Sequence, residues 1–255
     1  MTRFPHKAAK YLSSVSFALR QFLLAPFLYE KNSRIGRLFY DLEVLQRDFR
    51  SPLAALDLNA LFEGSAPQQV TLFGYPLSLL RCFHRHRLAI MTPQELTFLA
   101  ALVRVLNPKT IFEFGTGYGG TTANLVLNAP SDVRLFTICR SLWQTGLEEV
   151  DLVLGREQIQ IIEADSLTFD FAPFSARMEL VIVDAGHQYE NIRSDTENAL
   201  RMLKPGGIIV WHNYASNFPD VVRYLEHLAA RLHLRHLRGT SIVLYQDSPN
   251  ISASL

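Results

Sequence analysis

The stretch IFEFGTGYGGTT, residues 111–122, decides the fold of this chain. Its first four residues, 111–114, are mostly apolar and predict a buried strand, and the glycine cluster behind them predicts a tight turn. The residues TTANLVL that follow are compatible with a helix. Glycines permit positive φ angles and a close approach of the backbone to a ligand, and the first N–H groups of a helix point toward such a ligand. The stretch therefore predicts a ligand-binding strand–turn–helix unit.

Two interpretations of the glycines compete. Gly115, Gly117 and Gly120 satisfy G-x-G-x-x-G, the dinucleotide fingerprint, which alone is a weak signal. Glu113 with Gly115, Gly117 and Gly119 instead forms E-x-G-x-G-x-G. A carboxylate at the strand tip suits a ligand that carries an ammonium and a sulfonium, and suits a pyrophosphate badly. This pattern resembles motif I of the class I S-adenosylmethionine (SAM) dependent methyltransferases. A structural glycine turn in another α/β domain is the alternative.

The resemblance implies that the residues of this turn bind SAM. They are Glu113, Gly115, Thr116, Gly117, Tyr118 and Gly119.

The composition describes an ordinary globular protein of 255 residues, with 48% hydrophobic residues, 19% charged residues and a net charge of +1. Two cysteines, Cys82 and Cys139, form neither a metal-ligand spacing nor a disulfide framework, which fits a reducing cytosol. No run of 18 apolar residues predicts a transmembrane helix. The N-terminal basic and apolar residues lack a small-residue cleavage site, so no signal peptide is expected. A cytoplasmic protein is predicted.

Strands and helices alternate along residues 86–255. The sequence TPQE at residues 92–95 predicts a helix start with a capping box. The predicted strands are 111–114, 133–138, 159–164, 179–184, 208–211 and a closing pair around Arg238-Gly239; the predicted helices include LEEVDLVL at 147–154, 189–203 and 220–232, with a turn at 204–207. Nearly continuous apolar strands between helices predict a doubly wound, mostly parallel sheet. The resemblance implies seven strands, with an antiparallel seventh.

Residues 1–85 are predicted to form a helical extension to this domain. Residues 1–50 hold nine Lys/Arg and four Asp/Glu, a net charge of +5. Residues 7–25 show an amphipathic helical pattern. One interpretation is a basic helix that lies peripherally on an anionic membrane. The other, favoured interpretation is a helix that caps the catalytic domain or packs in a homodimer.

Ligands of open α/β sheets lie beyond the carboxyl ends of the strands, which focuses attention on the residues at those ends. The segment Ala164-Asp165-Ser166 resembles the part of the family that holds adenine. The stretch VDAGHQYENIRSDTENALRMLKPGGIIVWHNY resembles a D-x-x-H-x-Y, LKPGG, His-Asp-Tyr pattern of small-molecule O-methyltransferases. This resemblance implies that Asp184 serves both cofactor binding and catalysis, and that Asp165 and Ser166 bind SAM.

Two positions depart from the family pattern. Cys139 stands where the relatives carry an acid that accepts hydrogen bonds from the ribose hydroxyls, and Asn213 stands where they carry Asp. The missing acid also counts against an NAD site, which needs an acid about 20 residues after the glycines. Both departures leave open a vestigial domain that binds SAM without catalysis.

The sequence favours a class I methyltransferase that acts on a small molecule, at oxygen. A hydroxyl nucleophile must lose its proton near the transition state, and His187 and His212 follow predicted strand ends, so they are the candidate bases. His187 is preferred because the short Ala185-Gly186 link holds it over the pocket. The remaining histidines are interpreted as surface or packing residues: His6, His84, His86, His227, His233 and His236.

No metal is predicted in this site. Related catechol-type enzymes hold magnesium at positions that match Asp184, His212 and Asn213, a set with one carboxylate that suits magnesium poorly. Residues 86–255 are not basic and contain no N-P-P-Y motif, so a nucleic-acid substrate is not expected. An NAD-dependent oxidoreductase and a vestigial SAM-binding domain remain the alternatives.

Overall fold

The computed structural model describes residues 91–141 and 153–247, together with the backbone of residues 54–56. The predicted helices of the N-terminal extension, its boundary with the catalytic domain, and most of the helix predicted at 147–154 lie outside these residues. Cys82, His6, His84 and His86 lie outside them as well. Within the described ranges, no helix is both long and apolar enough to cross a membrane.

One mixed sheet organises the described residues. Its strands are β1 (Ala54–Leu56), β2 (Thr110–Phe114), β3 (Arg134–Cys139), β4 (Ile159–Glu163), β5 (Met178–Val183), β6 (Leu203–Trp211), β7 (Arg235–Leu237) and β8 (Val243–Gln246). The strand order is β1-β7-β8-β6-β5-β2-β3-β4. All pairs are parallel except those of β8 with β6 and β7. The predicted seven-stranded sheet with an antiparallel last strand is confirmed in β2 to β8, and the three-residue β1 extends its edge.

Within the described ranges, four complete α-helices cover both faces of the sheet: α1 (Pro93–Leu106), α2 (Gly120–Asn128), α3 (Tyr189–Met202) and α4 (Pro219–Leu228). Neighbouring residues of a strand point to opposite faces, and the core follows this alternation. Ile111 packs in one apolar cluster with side chains of α1 and α2, whereas Phe112 packs in a second cluster with side chains of α3 and α4. The predicted doubly wound architecture is confirmed.

The start of α1 carries the predicted capping box. The N–H of Glu95 donates to Thr92 Oγ1 at 3.0 Å, and the N–H of Thr92 donates to Glu95 Oε2 at 2.6 Å. These bonds satisfy helix N–H groups that have no partner inside the helix. The predicted turn at 204–207 differs: these residues lie within β6, near a shift in its register with β5, and Gly206 adopts a φ of 81°.

Main-chain hydrogen bonds join the carboxyl ends of the central strands. The N–H of Asp184 donates to the carbonyl of Phe114 at 3.0 Å, and the N–H of Gly115 donates to the carbonyl of Ile138 at 2.9 Å. The N–H of His212 donates to the carbonyl of Val183 at 3.2 Å. The residues that follow β2, β3, β5 and β6 therefore meet at one edge of the sheet.

Candidate functional site

The glycine turn joins β2 to α2 and has the predicted backbone geometry. Gly115, Gly117 and Gly119 have φ angles of 99°, 53° and 76°. Residues other than glycine rarely adopt φ angles in this region. A Cβ at Gly119 would lie 2.5 Å from Leu154 Cδ1, whereas a Cβ at Gly117 would meet no atom of the described residues within 4 Å. No described atom therefore crowds Gly117, whereas the turn glycines before and after it, Gly115 and Gly119, are closely packed.

Thr116 and Tyr118 complete the turn. Thr116 is buried, and its Oγ1 lies 2.7 Å from Oγ1 of Thr137 on the neighbouring strand. Tyr118 is half-buried. This contact joins the turn to β3.

Glu113 lies in β2, two residues before the first glycine of this turn, and is fully buried. Its Oε2 accepts hydrogen bonds from the hydroxyls of Thr122 and Thr137, while its Oε1 receives none from the described residues. Burial raises the pKa of Glu113 to about 8, because the hydrogen bonds from the two threonines offset only part of the desolvation. The sequence interpretation placed a carboxylate here, whereas a pKa near 8 favours the neutral acid at pH 7.

The ends of β3 and β4 bring Arg140 to Asp165. Arg140 Nη2 lies 3.1 Å from Asp165 Oδ2, and Asp165 Oδ1 accepts a hydrogen bond from the N–H of Leu167 at 3.0 Å. Cys139 is a half-buried free thiol whose pKa is raised, chiefly by burial. An arginine paired with the predicted adenine-binding Asp thus stands beside the position where the family carries its ribose acid.

Asp184, His187 and His212, the three predicted catalytic residues, lie together with Asn213. His212 Nδ1 lies 3.0 Å from Asp184 Oδ1, and Asn213 Nδ2 donates to the same oxygen at 2.9 Å. His187 Nε2 lies 2.6 Å from Asn213 Nδ2 and 4.0 Å from Asp184 Oδ1. Burial would raise the pKa of Asp184, but the two histidines outweigh this effect and hold the pKa below its usual value. Asp184 is therefore an ionised carboxylate at the centre of a polar cluster.

The two histidines have different surroundings. The side chain of His187 is 43% exposed, and its ring lies 4.6 Å from the ring of Phe218. The side chain of His212 is only 6% exposed. Of the other described histidines, His227 and His233 are exposed and His236 is buried, which confirms that they are surface or packing residues.

Sequence reasoning missed the role of Glu95 at this site. His212 Nε2 lies 3.4 Å from Glu95 Oε2, so His212 stands between two carboxylates. Glu95 is fully buried, and although burial acts to raise its pKa, His212, Ser241 and Thr92 together hold that pKa well below the usual value. The capping box identified Glu95 as a helix cap, but no local pattern indicates its contact with a strand end so far along the chain.

Asp195 is a second buried acid that the sequence did not single out. It lies on α3 and is 1% exposed, and neither of its carboxylate oxygens makes a hydrogen bond of ordinary geometry to the described residues. Burial raises its pKa to about 6, against a smaller lowering by nearby Ser166. Ser166 itself is half-buried, next to the predicted adenine-binding Asp165. This acid therefore lies against the predicted adenine segment.

No three His, Cys, Asp or Glu side chains of the described ranges are arranged to hold a metal ion. At the position where related enzymes hold magnesium, Asp184 Oδ1 already accepts hydrogen bonds, and the other two groups are an imidazole and an amide. Magnesium prefers oxygen ligands, usually with one or two carboxylates. This donor set fits magnesium poorly.

Residues 112–214 match the model of a family described as a methyltransferase domain. A curated Arabidopsis thaliana protein, named as a caffeoyl-CoA O-methyltransferase, is 27% identical over 118 residues, which cover 46% of this chain and 51% of that protein. The chain thus spans about half the length of the curated relative that it matches.

Solved methyltransferase structures share the fold. The O-methyltransferase TomG from Streptomyces achromogenes, solved with SAM, matches with a TM-score of 0.51 and 21% identity, over 78% of this chain and 94% of its own. A protein of Klebsiella pneumoniae assigned as an O-methyltransferase matches with a TM-score of 0.51 and 18% identity, over 90% and 95% of the two chains. The predicted class I methyltransferase fold is confirmed.

Proposed function

We propose that this protein transfers a methyl group from SAM to a small-molecule acceptor, at an oxygen atom, because residues 112–214 match the model of a methyltransferase domain family. The observation that carries the proposal is that a Cβ at Gly117 would contact no described atom, in a turn whose first glycine, Gly115, packs against Asp184 of the cluster with His187 and Asn213. A cofactor over the turn would bring its reactive end toward that cluster. The likeness to a protein named as a caffeoyl-CoA O-methyltransferase supports a hydroxyl acceptor.

The chain offers groups that suit the different parts of SAM. The buried Oε1 of Glu113 lacks a partner among the described residues, and a nearby cation would favour its ionised form. The turn provides backbone N–H groups and space, and the segment after β4 provides polar groups for the adenosine. The residues that we assign to SAM are Glu113, Gly115, Thr116, Gly117, Tyr118, Gly119, Asp165, Ser166 and Asp184.

When bound, SAM supplies an electrophilic methyl group, so the protein's main task is to align the acceptor for in-line attack. We assign the removal of the acceptor proton to His187, whose side chain is partly exposed. Asn213 Nδ2 lies 2.6 Å from His187 Nε2 and can only donate to it, so the acceptor hydroxyl has to displace this amide hydrogen to reach the lone pair of Nε2. His212 is a poorer base, because both of its ring nitrogens face carboxylate oxygens. In this proposal Asp184 fixes His212 and Asn213 and, through Asn213, orients His187.

The proposed transfer needs no divalent metal. An imidazole has a pKa near neutrality and is a suitable base where no metal acidifies the acceptor hydroxyl. The donor set around Asp184, which suits magnesium poorly, supports this part of the proposal.

Two alternatives make different predictions in the same assays. An NAD-dependent oxidoreductase would bind NAD and not SAM, whereas a vestigial domain would bind SAM without turnover. Calorimetry with SAM, its demethylated product and NAD separates the first alternative from our proposal. Transfer of labelled methyl from SAM to a panel of small hydroxylated acceptors separates the second. Micromolar binding of NAD with none of SAM would overturn the proposal.

The role of the N-terminal extension, residues 1–85, belongs to the proposal as well. We propose a cytoplasmic protein in which this segment shapes the acceptor pocket or a homodimer interface; peripheral membrane contact is the alternative. Deletion of residues 1–30 should change activity, oligomeric state or stability. If none of the three changes, this role is wrong, and binding to anionic vesicles that the deletion abolishes would favour membrane contact.

A further inference from the structure

The carboxylate of Glu95 makes more contacts than a helix cap requires. In a capping box the Glu side chain accepts only one hydrogen bond, from the N-cap N–H, here donated by Thr92 to Oε2. The other oxygen, Oε1, accepts from the N–H of Ser241 at 2.7 Å and from its hydroxyl at 2.8 Å. Together with His212 at 3.4 Å, these contacts join the start of α1 to the end of β6 and to the loop before β8.

His212 continues this connection toward the site. Its Nδ1 is 3.0 Å from Asp184, and its Nε2 faces Glu95, so a hydrogen on each nitrogen satisfies both carboxylates. An imidazole that carries both hydrogens is the positively charged form. A buried positive ring between the buried carboxylate of Glu95 and the half-buried carboxylate of Asp184 compensates charges that would be costly to bury alone.

The segment after β6 depends on the same contacts. Asn213 adopts a φ of 65°, and the N–H of Tyr214 donates to the carbonyl of Ser241 at 2.9 Å. Glu95 therefore holds this segment twice, through His212 before Asn213 and through Ser241 after it. Asn213 in turn is 2.6 Å from His187.

We propose that Glu95 is a positioning residue for methyl transfer, which holds His212 in its doubly protonated form and thereby fixes Asp184, Asn213 and His187 in their reactive arrangement. The catalytic part of this inference depends on the proposed function. The protonation of His212 is independent of the proposed function, because it follows from the contacts of the His212 ring with Glu95 and Asp184.

Nitrogen-15 NMR of the histidine rings in the full chain tests the protonation directly. His212, assigned by its loss in His212→Asn, should carry hydrogen on both ring nitrogens at neutral pH, when a free imidazole is mostly neutral. In Glu95→Gln the doubly protonated signal should be lost at the same pH. A neutral His212 ring in the unmodified protein would overturn the inference even if Glu95→Gln does not fold, and it would leave the proposed function untouched.

Kinetics test the positioning role, with Thr92→Ala as the control. This control removes the other half of the capping box and leaves the Glu95 carboxylate facing His212. Glu95→Gln should lower kcat on the order of 10²-fold, the cost of a small misplacement of reacting groups. Its KM for SAM should change much less than kcat, since Asp184 is the one residue assigned to SAM that this connection includes. Thr92→Ala should keep kcat. An equal loss of kcat in both variants would show that Glu95 acts only as a helix cap, and it would overturn the positioning role.

Discussion

The main chain of Gly115 packs directly against that of Asp184: a Cβ at Gly115 would lie 2.1 Å from the Asp184 carbonyl oxygen. The first glycine of the turn therefore serves the contact between the ends of β2 and β5. A Cβ at Gly117, two residues later, would have no atom of the described residues within 4 Å. The two glycines belong to one motif, but Gly115 is required for packing, whereas no described atom packs against Gly117, which we propose lies beside the cofactor.

Because Gly115 is closely packed and Gly117 is not, we expect substitution of Gly117 to affect mainly SAM binding and substitution of Gly115 to affect mainly stability. Gly117→Val should abolish SAM binding, because its side chain would occupy the space that we assign to the cofactor. The folded state should lose only about 1–2 kcal/mol, the cost of a left-handed residue that is not glycine. Calorimetry with SAM and thermal unfolding measure the two effects.

Gly115→Ala is the matched comparison. Its added carbon collides with main-chain atoms that cannot move aside, so we expect a larger loss of stability than in Gly117→Val. If Gly117→Val bound SAM with unchanged affinity, the cofactor would not lie over this turn.

We predict that SAM binding is linked to the ionisation of Glu113. Burial raises the pKa of this acid to about 8, and a bound cation would lower it. SAM binding should therefore release a proton below pH 8, and its dissociation constant should fall as the pH rises toward 8, by up to about tenfold per unit. Calorimetry in buffers of different ionisation enthalpy measures the proton release.

Glu113→Gln provides the control for this linkage. The amino group of SAM itself titrates near pH 8, and it does so with both proteins, so only the difference between them reports on Glu113. Identical pH profiles for the two proteins would show that Glu113 does not sense the cofactor.

The assignment of His187 predicts a metal-independent rate that depends on its imidazole. His187→Ala should lower the rate of methyl transfer on the order of 10²–10⁴-fold with SAM affinity retained, the usual cost of removing a general base. The unmodified enzyme should keep full activity in excess EDTA. His233→Ala, a change at an exposed ring, serves as the control. Activity that disappears with EDTA and returns with magnesium would contradict this mechanism.

Local patterns predicted the parts of this structure that depend on local physics. The glycine spacing indicated the turn, apolar runs indicated the strands, and TPQE indicated the start of α1. Parallel strands then brought Asp184, His187 and His212 to one edge, because equivalent ends of parallel strands meet there. The charge state of Glu113 escaped prediction because it depends on burial. The contact of Glu95 with His212 escaped because it joins distant elements and leaves no periodic signal.

Asp195 predicts an unusual dependence of stability on pH. Burial raises its pKa from 3.8 to about 6, so the folded state binds this proton more tightly than the unfolded chain does. The contribution of Asp195 to stability should therefore fall as the pH rises from about 4 to about 6, by up to about 3 kcal/mol, and should level off above the folded pKa. Measured as unfolding free energy relative to Asp195→Asn, the difference isolates this group from all others. Asp132, exposed and hydrogen-bonded to Lys109, has a lowered pKa, so the same comparison with Asp132→Asn should show the opposite sign. A difference for Asp195→Asn that does not change with pH would mean that the carboxyl has partners or solvent access in the folded protein.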